Sequence, residues 1–95
     1  MNESIQVLEK AIEILETDGW CRKLMTDDKG HHCILGAMNK ASFSLGLEEY
    51  EAEELVRQQL EKEGFGGSYL YYNDYVAKDK RYVIRLLQRT IRANS

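Results

Sequence analysis

The stretch DKRYVIRLLQRTIR, residues 79–92, decides the fold class of this 95-residue chain. Asp79 is a good N-cap, and the apolar residues that follow it recur at helical spacing, which predicts a helix over Lys80–Arg92. Such a helix buries its stripe against other helices, because a chain this short has room for one core. The inward residues are Val83, Leu86, Leu87 and Ile91.

Working back towards the amino terminus, the chain shows three more helical segments. Each is bounded by a capping side chain or by a glycine, as helix ends usually are. In chain order they are an amphipathic helix with the stripe Ile5, Leu8, Ile12 and Leu15 that Gly19 ends, a helix from Cys33 to about Phe43, and a helix over roughly Glu48–Lys62.

Residues 20–34 have a different pattern, which favours a small β-hairpin. The run MTDDKG, residues 25–30, has the chemistry of a tight turn, and Trp20–Met25 and His31–Ile34 are short enough to be its strands. Tyr69–Tyr75 is aromatic and is predicted to be irregular. The sequence therefore predicts a mainly α single domain over residues 1–95, a compact cluster of about four helices with one small β-hairpin.

Composition points to a cytoplasmic protein without a membrane segment. Charged residues make up 31% of the chain, and no apolar run approaches the length of a membrane span. The first residues, MNESIQVLEK, lack the pattern of a signal peptide. Two cysteines, Cys21 and Cys33, give no disulfide framework, so a reducing compartment is expected.

The net charge of −3 is unevenly distributed, with glutamates concentrated in residues 48–63 and cations in residues 78–92. Two interpretations stay open. The two segments form solvated helix faces that neutralise each other, or the basic segment faces an acidic partner.

The cysteine and histidine residues are the first candidates for chemistry. Cys21, Cys33 and one histidine could converge across the hairpin, which leaves a zinc site one ligand short, so no metal or other cofactor is expected. Cys33 near a helix start could be a nucleophile with His31 as its base. A free cysteine followed by an apolar run is more typical of packed core, and we predict no enzyme.

The candidate binding residues lie in the tyrosine segment and the last helix. Tyrosine-rich segments supply rigid contact area at interfaces, although alternate tyrosines could equally cover the core around an Asn-Asp turn. Arginines at positions 81, 85, 89 and 92 fall on one line of the last helix, as phosphate binding would require. The predicted binding set is Tyr69, Tyr71, Tyr72, Asn73, Asp74, Arg81, Arg85 and Arg89.

Several short motifs occur together in a recognisable order. Gly19-Trp20 ends the first helix, Gly30-x-x-Cys33-x-x-Gly36-Ala37 starts the second, and Asn73-Asp74 precedes the last. This order resembles a family of small proteins of unknown function from actinobacteria and their phages. The chain departs from the family pattern at Tyr72, where tryptophan is common. The resemblance implies a bacterial or phage setting and transfers no catalytic residue.

The leading functional hypothesis is a small non-catalytic protein-binding domain, such as a phage-type inhibitor or accessory factor acting on a host macromolecule, for example a defence nuclease. The alternative is a nucleic-acid or nucleotide-ligand binder that uses the basic last helix, although an acidic chain with a pI near 5.4 is unusual for that class. A cysteine-dependent enzyme is the third alternative. A homodimer is compatible with all of these.

Overall fold

The computed structural model of the protein describes residues 2–95. Five α-helices form in this range, one of them a single short turn that continues into a π-helical segment. In chain order they are α1 (Glu3–Asp18), α2 (Ile34–Leu45), α3 (Tyr50–Lys62), α4 (Tyr69–Tyr71) with the π segment Tyr72–Val76, and α5 (Lys80–Ala93).

Local capping explains where the long helices begin and end. The Asn2 side chain accepts hydrogen bonds from the amides of Ser4 and Ile5 and starts α1. The Asp79 carboxylate accepts from the amide of Arg81 and starts α5, as the sequence predicts. Gly46, at a left-handed φ of 66°, ends α2 in a conformation that other residues adopt at a cost.

The core lies between the long helices, and α1 is at its centre, where it packs against α2, α5 and α3. Small residues on α2 let the backbones approach closely, while leucine, isoleucine and valine fill the remaining space. The core side chains with no exposed surface include Val7, Leu8, Ala11, Leu15, Ile34, Ala37, Met38, Ala41, Ala52, Val56, Leu60, Val83, Leu86 and Leu87.

The mainly helical prediction is confirmed, but the predicted β-hairpin is wrong. Residues 2–95 contain no β-strand, and only isolated single-residue bridges join His32 to Trp20 on one side and to Thr26 on the other. The backbone reverses at Lys23, which has a left-handed φ of 69°. With this bend, only one residue is paired on each side of His32. A β-strand needs a ladder of consecutive pairs, so no strand forms here.

The predicted number of helices, about four, is also wrong, because the tyrosine segment is helical rather than irregular. Ser68 caps this segment by accepting a hydrogen bond from the amide of Tyr71 at 3.1 Å. The amide of Ala77 then donates to the carbonyl of Tyr72 at 2.8 Å, a five-residue spacing that makes the segment π-helical. The sequence alone shows no periodicity long enough to predict this turn.

No helix within residues 2–95 is both long enough and apolar enough to cross a lipid bilayer.

Candidate binding surface

The tyrosine segment is fixed from beneath by the fully buried amide of Asn73. Its Oδ1 accepts hydrogen bonds from the Trp20 indole N–H at 2.7 Å and from the Ile34 amide at 2.9 Å. Its Nδ2 donates to the carbonyl of Cys21 at 3.2 Å and to the carboxylate of Asp74 at 2.9 Å. One side chain therefore joins the π segment to the end of α1 and to the start of α2.

The tyrosine segment, residues 69–75, places some of its tyrosines in the interior and others at the surface. Tyr72 is buried and packs edge-on against Phe65, with ring centroids 5.3 Å apart. Tyr71 and Tyr75 point outward with 57% and 64% of their surface exposed, and their rings lie 5.2 Å apart. Because Tyr72 and Asn73, which lie between them in the chain, are buried, the two exposed tyrosines project from a backbone that the core holds in place.

A shallow groove of about 170 Å³ runs beside this tyrosine pair. Its walls are mainly apolar, and its base reaches the buried Cys33. The lining residues are Lys23, Leu24, Met25, Cys33, Leu35, Leu70 and Asp74. We call the exposed apolar residues of this region, Leu24, Met25, Leu70, Tyr71 and Tyr75, the aromatic face.

The aromatic face continues past Met25 into a second, larger depression. This depression of about 390 Å³ is also lined by Met25 and extends to Phe43 on α2, whose side chain is 89% exposed. Large apolar side chains are usually covered in a monomer, and a contiguous group of exposed ones marks an interaction site.

Lys23 lies at the edge of the aromatic face. Its backbone amide donates to Asp74 at 2.8 Å, which holds the left-handed bend in place. Its ammonium group lies 5.3 Å from the centre of the Tyr75 ring, within the range of a cation–π contact. The bend at Lys23 thus places its ammonium group over the exposed ring of Tyr75.

The remaining residues of the predicted binding set have separate environments. Tyr69 is half-buried, and its hydroxyl donates to Glu53; burial and this bond raise the pKa of the phenol. Tyr72 and Asn73 lie in the interior and hold the segment in place, so they are not part of the exposed surface. Asp74 is half-exposed at the groove.

The arginines of α5 do not form one free line. Arg89 makes a double ion pair with Glu63, at 2.7 and 2.8 Å, and the bonded guanidinium lowers the pKa of that carboxyl. Arg81 bonds the carboxylate of Asp79 at 2.8 Å. Arg85 is exposed and forms no salt bridge within residues 2–95. Two of the three predicted arginines are therefore already paired within the chain.

A buried histidine forms a polar cluster at the junction of the loop with α1 and α2. His32 lies 2.9 Å from the Thr26 hydroxyl through Nδ1 and 2.9 Å from the Asp18 carboxylate through Nε2. Lys40 also bonds this carboxylate at 2.6 Å, and bonds from Lys40 and His32 lower its pKa.

The hydroxyl–imidazole–carboxylate order of this cluster is that of a nucleophilic triad, which also needs free amides for an oxyanion. The amides at the start of α2 already donate within the chain. That of Ile34 bonds Asn73, that of Gly36 bonds the Cys33 sulfur, and that of Ala37 bonds the Cys33 carbonyl. The cluster is therefore better suited to tying the loop to the helices.

Both cysteines have environments that disfavour a thiolate. Cys33 is the N-cap of α2 and is buried, and this burial raises the pKa of its thiol. Burial likewise raises the pKa of the Cys21 thiol, which points at the carbonyls of Leu24 and His31. Across the part of the chain that the structure describes, no three His, Cys, Asp or Glu side chains converge as metal ligands.

Sequence reasoning missed Lys23, Leu24, Met25 and Phe43 as surface residues. The two apolar residues in the loop were interpreted as hairpin residues, and Phe43 as the end of a helix. One sequence feature indicates that Leu24 and Met25 are exposed. They directly precede the turn-forming run Thr26–Gly30, where an apolar pair has few neighbours to cover it.

The fold and this surface define a small helical protein with an exposed aromatic and aliphatic face. Over residues 1–93 the chain matches a family of unknown function, DUF6197, and it belongs to that family. Among curated proteins and solved structures, no match to the chain was found.

Proposed function

We propose that this protein is a non-catalytic binding domain that docks a partner protein on the aromatic face. The observation that carries the proposal is the Tyr71–Tyr75 pair, whose rings lie 5.2 Å apart and are more than half exposed, next in sequence to Leu70 and Asp74, which line the groove. Exposed aromatic side chains next to an apolar groove are the usual energetic centre of a protein interface.

Rigidity supports the same function. Buried Tyr72 and the four hydrogen bonds of Asn73 fix the backbone from which the exposed tyrosines project. A surface that is already ordered loses less conformational entropy when it binds, so more of its contact energy contributes to affinity.

In its more specific form, the proposal is that the protein acts as a phage-type inhibitor or accessory factor on a host macromolecule, such as a defence nuclease. This part rests on the resemblance of its motifs to small actinobacterial and phage proteins, which is an argument by association. The aromatic face supports only the binding of a partner, and the inhibitor or accessory role rests on the resemblance.

The test compares proteins retained from a lysate of the source organism by three immobilised variants. The wild type is compared with Tyr71→Ala/Tyr75→Ala and with Tyr50→Ala, a control tyrosine that is 69% exposed on α3 and is not part of the aromatic face. A partner should be retained by the wild type and the control and lost from the double variant, with unfolding midpoints unchanged.

Two outcomes would count against the proposal. Identical retained proteins for all three variants would mean that the aromatic face is not the docking surface. Retained material that disappears after nuclease treatment, and that depends on Arg85 rather than on the tyrosines, would favour the nucleic-acid alternative.

A further inference from the structure

Three basic residues lie close in sequence to the aromatic face, Arg22 and Lys23 just before Leu24 and Lys78 three positions after Tyr75. The Arg22 guanidinium lies 4.7 Å from the Trp20 ring centre and donates to the carbonyls of Ala77 and Lys78 at 2.8 and 3.2 Å. Lys23 lies over Tyr75, and Lys78 is exposed beside the carbonyl that Arg22 bonds. Within residues 2–95 none of these three cations forms a salt bridge with a carboxylate.

The one carboxylate that lines the groove is already bonded within the chain. Asp74 accepts the amide of Lys23 at 2.8 Å and the side-chain amide of Asn73 at 2.9 Å. Its role is to hold the bend, so this region has an excess of positive charge although the whole chain has a net charge of −3. A local charge opposite in sign to that of the molecule selects its partners by electrostatic complementarity.

The backbone at Lys23 adds an independent observation. Lys23 is held at a left-handed φ of 69°, a conformation that is unfavourable for a residue with a Cβ atom. Such outliers cluster at binding sites, where the surrounding structure holds them. Here the bend puts the ammonium group over the exposed ring of Tyr75.

From these contacts we infer that the partner docked on the aromatic face is an acidic protein segment with bulky apolar side chains. Its apolar residues occupy the groove between Leu24 and Leu70, and its carboxylates meet Arg22, Lys23 and Lys78. The inference rests on the proposed function and adds the chemistry of the partner to it.

A protein segment fits the face better than nucleic acid does. The arginines on α5 do not offer a continuous line of free cations to a phosphate backbone, because Arg81 is paired with Asp79 and Arg89 with Glu63. The leucines of the groove match the aliphatic or aromatic side chains of a peptide.

The test selects peptides from a displayed library of random dodecapeptides on the immobilised full-length protein. The expected sequences are enriched in aspartate and glutamate around at least one large apolar residue. A synthetic peptide from this set should bind Lys23→Glu/Lys78→Glu about tenfold more weakly at low salt, and the difference should shrink as salt screens the charges.

A matched control has the same change in net charge at a different place. Lys62→Glu/Arg92→Glu reverses two exposed cations that do not line the groove, and it should leave the peptide affinity within about twofold of wild type. Urea unfolding midpoints of all variants are compared first, so that a loss of binding is not confused with a loss of fold.

The outcomes separate this inference from the proposed function. Neutral or basic peptides that bind through Tyr71 and Tyr75 would overturn the acidic partner and leave the docking function intact. Peptides indifferent to both tyrosines, or none enriched at all, would overturn both. If a labelled oligothymidine binds more tightly than the peptides and loses binding in Lys23→Glu/Lys78→Glu, the partner is nucleic acid and the inference of a protein segment is wrong. If the protein self-associates through this face, the partner is a second copy of the chain.

Discussion

Replacing Asn73 with alanine is expected to destabilise the protein more than any substitution on its surface. The change removes both acceptor bonds and both donor bonds of a side chain with no exposed surface. The amide of Ile34 is then left buried without a partner, which costs about 1 to 3 kcal/mol. The groups of Trp20 and Cys21 regain some water, so their lost bonds cost about 0.5 to 1.5 kcal/mol each.

Together these terms predict a loss of about 4 kcal/mol in the free energy of unfolding. A chain of this size has a total of roughly 5 to 14 kcal/mol, so Asn73→Ala removes a large share of it. The assay is urea unfolding followed by far-ultraviolet circular dichroism, with the slope against urea concentration compared between variants to confirm two-state behaviour.

The control is Asn39→Ala, which removes an exposed amide that makes one hydrogen bond to Glu49 at 2.7 Å. It should cost less than about 1 kcal/mol. Trp20→Phe removes the indole donor together with part of a ring that packs against the core, so its own cost includes lost packing. Both variants lose the same hydrogen bond, so their effects should not add, with a coupling of about 1 kcal/mol. A loss for Asn73→Ala as small as that of the control would refute the assignment of Asn73 as the central tie.

Three further predictions concern the helix junction. Gly36→Ala should cost about 3 kcal/mol in urea unfolding, because the new Cβ would lie 2.1 Å from the backbone oxygen of Met25. The hydrogen bond from Lys40 is the main cause of the lowered pKa of Asp18 in the folded protein. The ionised carboxylate therefore stabilises the fold above its ordinary pKa of about 3.9, and this stabilisation is lost as the pH falls below that value. The difference in unfolding free energy between wild type and Asp18→Asn should therefore shrink on acidification. The buried Cys33 thiol should react with a disulfide reagent only as fast as the protein unfolds.

Each of these predictions has its own comparison. The control for Gly36→Ala is Gly30→Ala, whose new Cβ would meet no atom within 4 Å. It should lower the free energy of unfolding by only about 1 kcal/mol, because Gly30 has a positive φ. If both variants lose the same amount, the close contact at Gly36 has no cost of its own. A stability difference between wild type and Asp18→Asn that stays constant on acidification would contradict the contribution of the Asp18 ion pair. Thiol labelling is measured in a Cys21→Ser background, and rapid native labelling would favour the cysteine-dependent enzyme.

The helices and their ends could largely be predicted from the sequence. Apolar residues on α1 and α5 recur at helical spacing, and the Asp79 cap depends on one side chain that bonds an amide two residues away. Such local interactions need no tertiary context. The general suggestion of a tyrosine surface followed from composition, but it included Tyr72 and Asn73, which the structure buries.

The loop after α1 and the tyrosine segment could not be predicted in this way, because distant contacts decide them. Asn73 bonds Trp20 across 53 positions and Ile34 across 39, and the Asp74 carboxylate holds the Lys23 amide across 51. Residues 25–30 have turn chemistry that suits a hairpin. These long-range bonds accompany a bend at Lys23, and no continuous ladder is present between the segments that flank the turn.

By itself the sequence determined a helical protein with one apolar core, because periodicity and capping act over a few residues. Only the tertiary structure decided which tyrosines are buried and which are exposed, and that Lys23 stands over Tyr75. Those features depend on a buried amide whose partners lie far apart in the chain, and such bonds have their geometry only once the helices have packed.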